Sequence, residues 1–147
     1  MNFNPNVPNI PEVARVAINL VMRDAKFRTP VREIGVLLGQ ELAAAYPGEG
    51  DGLTGAIASF TEACRQIGFV RCTSAGIPGL SDQGLRFEGC EDVLGYHVVN
   101  AGRTLCSFDE GLIEAYLNQL PGLSGIFVRE TECLGKGDAS CLFVLDR

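Results

Sequence analysis

The chain has 147 residues, 46% of them hydrophobic and 20% charged, and 12 basic against 18 acidic residues give a formal net charge of −6. A chain of this length buries roughly 68–70% of its unfolded surface, so we expect residues 1–147 to form a single domain without a disulfide framework. The acidic balance excludes the broad cationic surface that non-specific nucleic-acid binding requires.

No stretch of the sequence approaches the roughly 18 consecutive apolar residues of a membrane span. Residues 1–11 contain no Lys or Arg, which argues against a secretory signal. We therefore expect a cytoplasmic protein without a membrane span, for which peripheral membrane association stays open.

The N-terminal part of the chain predicts an irregular arm followed by helices. Asn and Pro dominate residues 1–9, and no hydrophobic period appears there. Apolar residues then recur at helical spacing through residues 10–67, which we assign as the helical part. Three helices are expected there, over residues 10–25, from Thr29 to Pro47, and over residues 53–67.

Residues 68–147 predict a sheet with one helix. Short runs of strand character occupy residues 69–73, 85–90 and 96–99, and helical spacing returns from Phe108 to Leu120. A hairpin follows, with strands over residues 126–133 and 141–145 around a Gly-rich turn. The order favours an α+β fold: an antiparallel sheet with N-terminal helices and one helix inserted before a C-terminal zinc-stapled hairpin.

A metal site is indicated by the spacing Glu130-x2-Cys133-x7-Cys141, with Cys106 upstream at the start of a helix. The hairpin brings Cys133 and Cys141 together, and three thiolates with one carboxylate can close a tetrahedral structural zinc site. Four anionic ligands around a divalent ion leave a net charge of about −2, so we expect backbone N–H groups or Arg129 to stabilise the sulfurs.

Other interpretations of the six cysteines remain open at this point. Cys133 and Cys141 could form a disulfide across the hairpin, or could stay unligated buried thiols. Cys90 or His97 could replace one of the proposed ligands. Cys64 is expected in the core of a helix, and Cys72 and Cys90 on strands.

Aromatic residues could line an apolar pocket between the helices and the sheet, although aromatic residues at such spacing are also typical of plain core. His97 could ligate a tetrapyrrole metal or could be a hydrogen-bonded strand histidine. The candidate ligand-binding residues are Phe60, Phe69, Phe87, Tyr96, Phe108 and Tyr116.

From Leu85 through Val144 the chain resembles the 4-vinyl reductase domain family. The resemblance is carried by Cys106 with Gly111, by residues 130–138 (ETECLGKGD) and by residues 140–143 (SCLF). It implies an α+β domain that binds small molecules. In phenol-sensing activators of this family a Cys, a Glu and two further Cys bind zinc, and the matching residues of this chain are Cys106, Glu130, Cys133 and Cys141.

The resemblance also implies partners and ligands. Relatives act in bacteriochlorophyll synthesis and photosynthetic assembly, where the proposed ligands are tetrapyrroles, and family members commonly pair through N-terminal helices. Phenol sensors hold the phenol hydroxyl with a His and a Trp, whereas this chain has no Trp and a single histidine, His97, at a different place. Phenol sensing is therefore disfavoured.

We interpret the sequence as a non-enzymatic module that binds a small hydrophobic or tetrapyrrole-like molecule. It is expected to carry a structural zinc ion, to form a homodimer, and to serve photosynthetic complex or pigment assembly or its regulation. Two alternatives stay open: a vinyl reductase, or a subunit of one, in the synthesis of chlorophyll-type pigments, and an assembly factor acting through protein contacts.

Overall fold

The computed structural model describes residue 21 and residues 24–48, 52–67, 85–87, 102–139 and 141–146, with backbone alone at residues 85–87. Within these ranges it contains three α-helices and a three-stranded antiparallel sheet, which confirms the α+β class. The helices are α1 (Arg28–Ala45), α2 (Gly52–Gln66) and α3 (Ser107–Gln119), and the strands are β1 (Leu85–Phe87), β2 (Phe127–Glu132) and β3 (Cys141–Asp146).

The helix ends follow the local sequence closely. Helix α1 begins one residue before Thr29 and ends two residues before Pro47, and α3 ends two residues before Pro121. Proline lacks a backbone N–H and disfavours helical geometry in the residue before it, so both helices end where the sequence indicates. None of the helices in the described part is both long and apolar enough to cross a membrane.

Several predicted elements lie outside the described residues. They are the arm over residues 1–9, nearly all of the helix over residues 10–25, and the strands over residues 69–73 and 96–99. The strand predicted over residues 85–90 is present at Leu85–Phe87, and its remaining residues lie outside the described part.

Strand β3 lies between β1 and β2 in the described sheet, and both pairings are antiparallel. The register of β2 shifts by one residue near its end, since Glu130 pairs with Phe143 and Glu132 pairs with Leu142. Thr131 is therefore the extra residue of a β-bulge. The bulge reverses the alternation of side chains, so Glu130 and Cys133, three positions apart, reach the same face.

Helices α1 and α3 pack with unusually close backbones because glycines line their contact. A Cβ atom on Gly35 would collide with the Phe108 carbonyl oxygen, and one on Gly39 would collide with the Leu112 carbonyl oxygen. A Cβ atom on Gly111 of α3 would likewise strike the backbone of α1 at Arg32. The two helices therefore approach each other as only glycine permits.

Helix α3 also supplies hydrogen-bond partners to the backbone of β2. Its polar side chains accept from alternate N–H groups of the chain: Glu110 from Glu130 (2.7 Å), Glu114 from Val128 (2.9 Å) and Asn118 from Ile126 (3.0 Å). Four helical residues rise about 6 Å and two strand residues rise roughly 6.6 Å, so the two repeats match over three contacts. This ladder fixes β2 against α3 and sets the position of Glu130.

The substitution Gly39→Ala tests the close approach of the two helices. A change from Gly to Ala in a helix interior ordinarily stabilises by about 1 kcal/mol. Here we expect a loss of about 1–3 kcal/mol, because the added methyl group forces the backbones apart. Urea unfolding measures the difference, with the exposed neighbour Gln40→Ala as the control. A more stable Gly39→Ala protein would contradict the packing described.

Candidate metal centre

Four residues with metal-binding side chains meet at one buried point. One ligand atom from each of Cys106, Glu130, Cys133 and Cys141 lies within 4.8 Å of the others. The Sγ atom of Cys106 lies 3.9 Å from that of Cys133 and 3.8 Å from that of Cys141. These are the four residues that the spacing and the family resemblance singled out, and the fold brings all four together.

Each element contributes one part of the cluster. Cys106 is the N-cap residue of α3, Glu130 lies on β2 before the bulge, and Cys141 begins β3. Cys133 follows β2 and is the N-cap residue of a short 3-10 helix, Leu134–Lys136. The backbone N–H of Cys106 donates to Glu130 Oε2 at 2.9 Å, which ties the start of α3 to the hairpin.

Backbone N–H groups point at the sulfur atoms. Those of Leu105 and Gly135 donate to Cys133 Sγ at 3.4 and 3.3 Å, and the backbone of Leu134 hydrogen-bonds to Cys141. Such donors stabilise negative charge on sulfur. A Cβ atom on Gly135 would collide with the side chain of Leu105, so glycine lets the turn come this close.

Of the two sources of positive potential expected at the sulfurs, the backbone is present and Arg129 is not. The expectation for Arg129 is wrong because neighbouring strand residues point to opposite faces of a sheet. Its side chain is exposed and pairs with Asp146 at 3.2 Å, whereas Glu130 points inward.

The Glu130 carboxyl group is buried without full compensation. It is 4% exposed, and its Oε1 atom has no hydrogen-bond partner among the described residues. Burial and the neighbouring Cys133 raise the pKa of Glu130 to about 9. A hydrogen bond from the Cys141 thiol lowers the pKa of Cys133 to about 6, and the same bond raises the pKa of Cys141. The cluster is therefore short of positive charge.

The described cysteines differ in oxidation state. Cys64, Cys133 and Cys141 are free thiols, so the alternative of a Cys133–Cys141 disulfide is not what the structure contains. Cys106 is disulfide-bonded. Since the thiolate is the metal-binding form of cysteine, Cys106 must be reduced before it can act as a ligand.

The arrangement fits a zinc ion. Two sulfur atoms held tetrahedrally about 2.3 Å from one zinc lie about 3.8 Å apart, and the measured separations from Cys106 are 3.8 and 3.9 Å. Three sulfur atoms and one carboxylate oxygen are a donor set that zinc accepts, and Oε1 of Glu130 is left for a positive partner. The four residues are therefore close enough, and of the right chemistry, to hold a metal ion.

The proposed ligand-binding aromatics divide into described and undescribed residues. Phe60, Phe108 and Tyr116 are buried in the core, where the rings of Phe60 and Tyr116 meet edge to face at 5.3 Å. The Tyr116 hydroxyl donates to the Tyr46 carbonyl at 2.9 Å. Phe69, Tyr96, Cys90, His97 and the side chain of Phe87 lie outside the described residues.

Residues around the cluster were missed in the sequence. Glu110 is buried, accepts the N–H of Glu130, and receives the Arg28 guanidinium at 3.2 Å. A polar stripe at positions 110, 114 and 118 of an otherwise apolar helix was the available signal, because four-residue spacing keeps side chains on one face. Arg28 and Arg32 repeat that spacing on α1.

Comparison with known proteins identifies the C-terminal part of the chain. Residues 86–147 match the family model of the 4-vinyl reductase domain. No curated protein and no solved structure matches the chain. The match contains all four residues of the cluster, whereas α1 and α2 precede it. The resemblance seen in the sequence is confirmed, and residues 86–147 of this chain belong to the 4-vinyl reductase domain family.

Proposed function

We propose that this chain is a non-enzymatic module that binds a small molecule and whose 4-vinyl reductase domain is held together by a structural zinc ion. The ligands are Cys106, Glu130, Cys133 and Cys141, all buried. A site with all four positions filled by protein side chains leaves none for substrate or water, which is typical of structural zinc.

The unpartnered Oε1 atom of Glu130 is the observation that carries the zinc proposal. An ionised carboxylate buried without a partner costs several kcal/mol, and native structures avoid that cost by pairing or by metal binding. A divalent cation at the centre of the cluster supplies the missing positive charge. The backbone N–H groups of Leu105, Leu134 and Gly135 then spread the remaining charge of about −2.

The zinc ion would act on folding through its place between two elements. Cys106 belongs to the start of α3, and the other three ligands belong to the β2–β3 hairpin. Binding one ion therefore joins the helix to the hairpin. Because the ligands come together only in the folded chain, zinc affinity adds directly to stability.

For the bound molecule we propose a hydrophobic or tetrapyrrole-like compound, in keeping with a role in pigment or photosynthetic complex assembly. This rests on membership of the 4-vinyl reductase domain family and on aromatic side chains that α2 and α3 direct into the core, Phe60 from α2 and Phe108 and Tyr116 from α3.

We further propose a homodimer through the N-terminal helices. Helix α1 buries one face against α3 and leaves Ile34 and Leu37 on its other face, 53% and 63% exposed. Two large apolar side chains one turn apart on a surface helix suit a helix-to-helix contact. Native mass spectrometry of the reduced protein is expected to give the mass of two chains with two zinc ions.

Zinc content and stability test the metal site through Cys133→Ser. We expect about one zinc per chain in reduced wild-type protein and less than about 0.2 in the variant. The midpoint of thermal unfolding should fall by about 10 °C, because several kcal/mol of binding energy are lost. Cys64→Ser is the matched control, since Cys64 is also a buried free thiol but lies on α2 outside the cluster. Equal zinc contents in the two variants would refute the site.

The charge of Glu130 gives a second test in which the sign of the effect depends on metal. In chelator, Glu130→Gln should be at least as stable as the wild type at neutral pH, because it removes a buried acid with an unpartnered oxygen. With zinc present, the wild type should be the more stable protein, since only the carboxylate offers a negative ligand. Thermal unfolding with and without zinc measures both arms, and an order unaffected by zinc would argue against coordination by Glu130.

Ligand binding is tested by thermal unfolding of the zinc-loaded chain with chlorins, bilins and simple phenols. A compound at 100 times its Kd stabilises the folded state by about 2.7 kcal/mol. We expect chlorins or bilins to raise the unfolding midpoint and phenol to leave it unchanged, since the chain has no Trp. The ligand proposal fails if the whole panel produces no shift.

A further inference from the structure

Two identical relays of charged side chains connect α1 through α3 to the strand that carries Glu130. In the first relay, Arg28 Nη2 lies 3.2 Å from both carboxylate oxygens of Glu110, and Glu110 Oε1 accepts the backbone N–H of Glu130 at 2.7 Å. In the second, one helical turn further on, Arg32 Nη2 lies 2.6 Å from Glu114 Oε2, which accepts the N–H of Val128 at 2.9 Å.

The two relays differ in where they end. Glu130 is a residue of the candidate metal centre, whereas Val128 contributes a buried apolar side chain to the core. The relays therefore share their chemistry and their helices but differ in their relation to the metal ligands. This makes the second relay an internal control for the first.

Arg28 also holds the segment that carries Cys106. Its Nη1 atom donates to Thr104 Oγ1 at 3.0 Å, and its carbonyl accepts from the Ser107 hydroxyl at 3.2 Å. These contacts lie on both sides of Cys106 in the chain. One arginine thus connects the Cys106 ligand directly with the Glu130 ligand through Glu110.

We propose that Arg28 and Glu110 are positioning residues of the metal centre, which fix Cys106 and Glu130 relative to each other and so set the affinity for zinc. This inference rests on the proposed zinc site. Tetrahedral coordination demands that ligands from α3 and β2 be placed together, and Glu110 contacts the backbone of one of them directly. Hydrogen-bond partners of metal ligands typically change metal affinity by about 10–100-fold.

The burial of Glu110 explains why the arginine is needed. Glu110 is 3% exposed, and its negative charge lies beside a cluster that already carries excess negative charge. The Arg28 guanidinium contacts both oxygens of this carboxylate, which defines the orientation of the carboxylate as well as compensating its charge. Without Arg28 the carboxylate would be buried and unpaired, and its bond to the Glu130 N–H would no longer hold the strand in place.

The experiment compares the two relays in the reduced full-length chain. Zinc affinity is measured by competition with a chromophoric chelator at constant pH for Arg28→Gln, Glu110→Gln, Arg32→Gln and Glu114→Gln. We expect the first pair to weaken zinc binding by about 10–100-fold. The second pair should bind much as the wild type does, while losing similar stability in chelator because equivalent bonds are removed.

A spectroscopic readout separates positioning from folding. Cobalt(II) bound in place of zinc reports coordination geometry through its visible bands, and we expect Glu110→Gln to alter those bands while Glu114→Gln preserves them. Should Arg28→Gln fail to fold, Arg28→Lys keeps the charge but cannot contact both carboxylate oxygens and Thr104 together. We expect it to fold and to bind zinc several-fold more weakly than Arg32→Lys.

Two results would overturn the inference: equal loss of zinc affinity from both relays, or no loss from either while the wild type binds zinc. A reduced wild-type chain that binds no zinc would overturn the proposed function as well, and that result is read before any variant is compared.

Discussion

The side chains of α3 serve as hydrogen-bond partners for the backbone of β2, and the rest of the described fold is arranged around that contact. Glu110, Glu114 and Asn118 pair with alternate N–H groups of the strand segment. Buried backbone N–H groups must be paired, and carboxylates that pair with them must themselves be compensated. Arg28 and Arg32 of α1 provide that compensation, so the three elements depend on one another.

The glycines of α1 and α3 follow from the same constraint. An arginine on α1 can reach a carboxylate on the far side of α3 only if the two helix backbones lie close together. Gly35, Gly39 and Gly111 remove the side chains that would hold them apart. Close backbone packing and the charged relays therefore reinforce each other, and α1, which precedes the residues matched by the family model, is joined to them by buried contacts.

The candidate metal centre lies at the end of this arrangement. Cys106, at the start of α3, meets the β2–β3 hairpin through its N–H bond to Glu130. The bulge at Thr131 turns Cys133 to the same face as Glu130. The result is a buried group of three sulfurs and a carboxylate with more negative potential than its described surroundings compensate, a state that metal binding would relieve.

The sequence by itself determined the helices, the hairpin and the identity of the four cluster residues. Periodicity and proline positions indicated α1 and α3 within one or two residues, and the spacing of Glu130, Cys133 and Cys141 indicated a common site. These features are local, or depend on a hairpin whose two strands are neighbours in the chain. Such short-range patterns can be read directly from the sequence. Only the tertiary structure decided which groups surround that site. The sequence favoured Arg129 as a source of positive charge because it adjoins Glu130, but adjacent strand residues point to opposite faces, and Arg129 is exposed. Arg28, far from the hairpin in the chain, is the residue that connects Cys106 with Glu130 through Glu110. Such a connection depends on how α1 packs against α3, and the spacing of residues within one segment carries no information about contacts between distant ones.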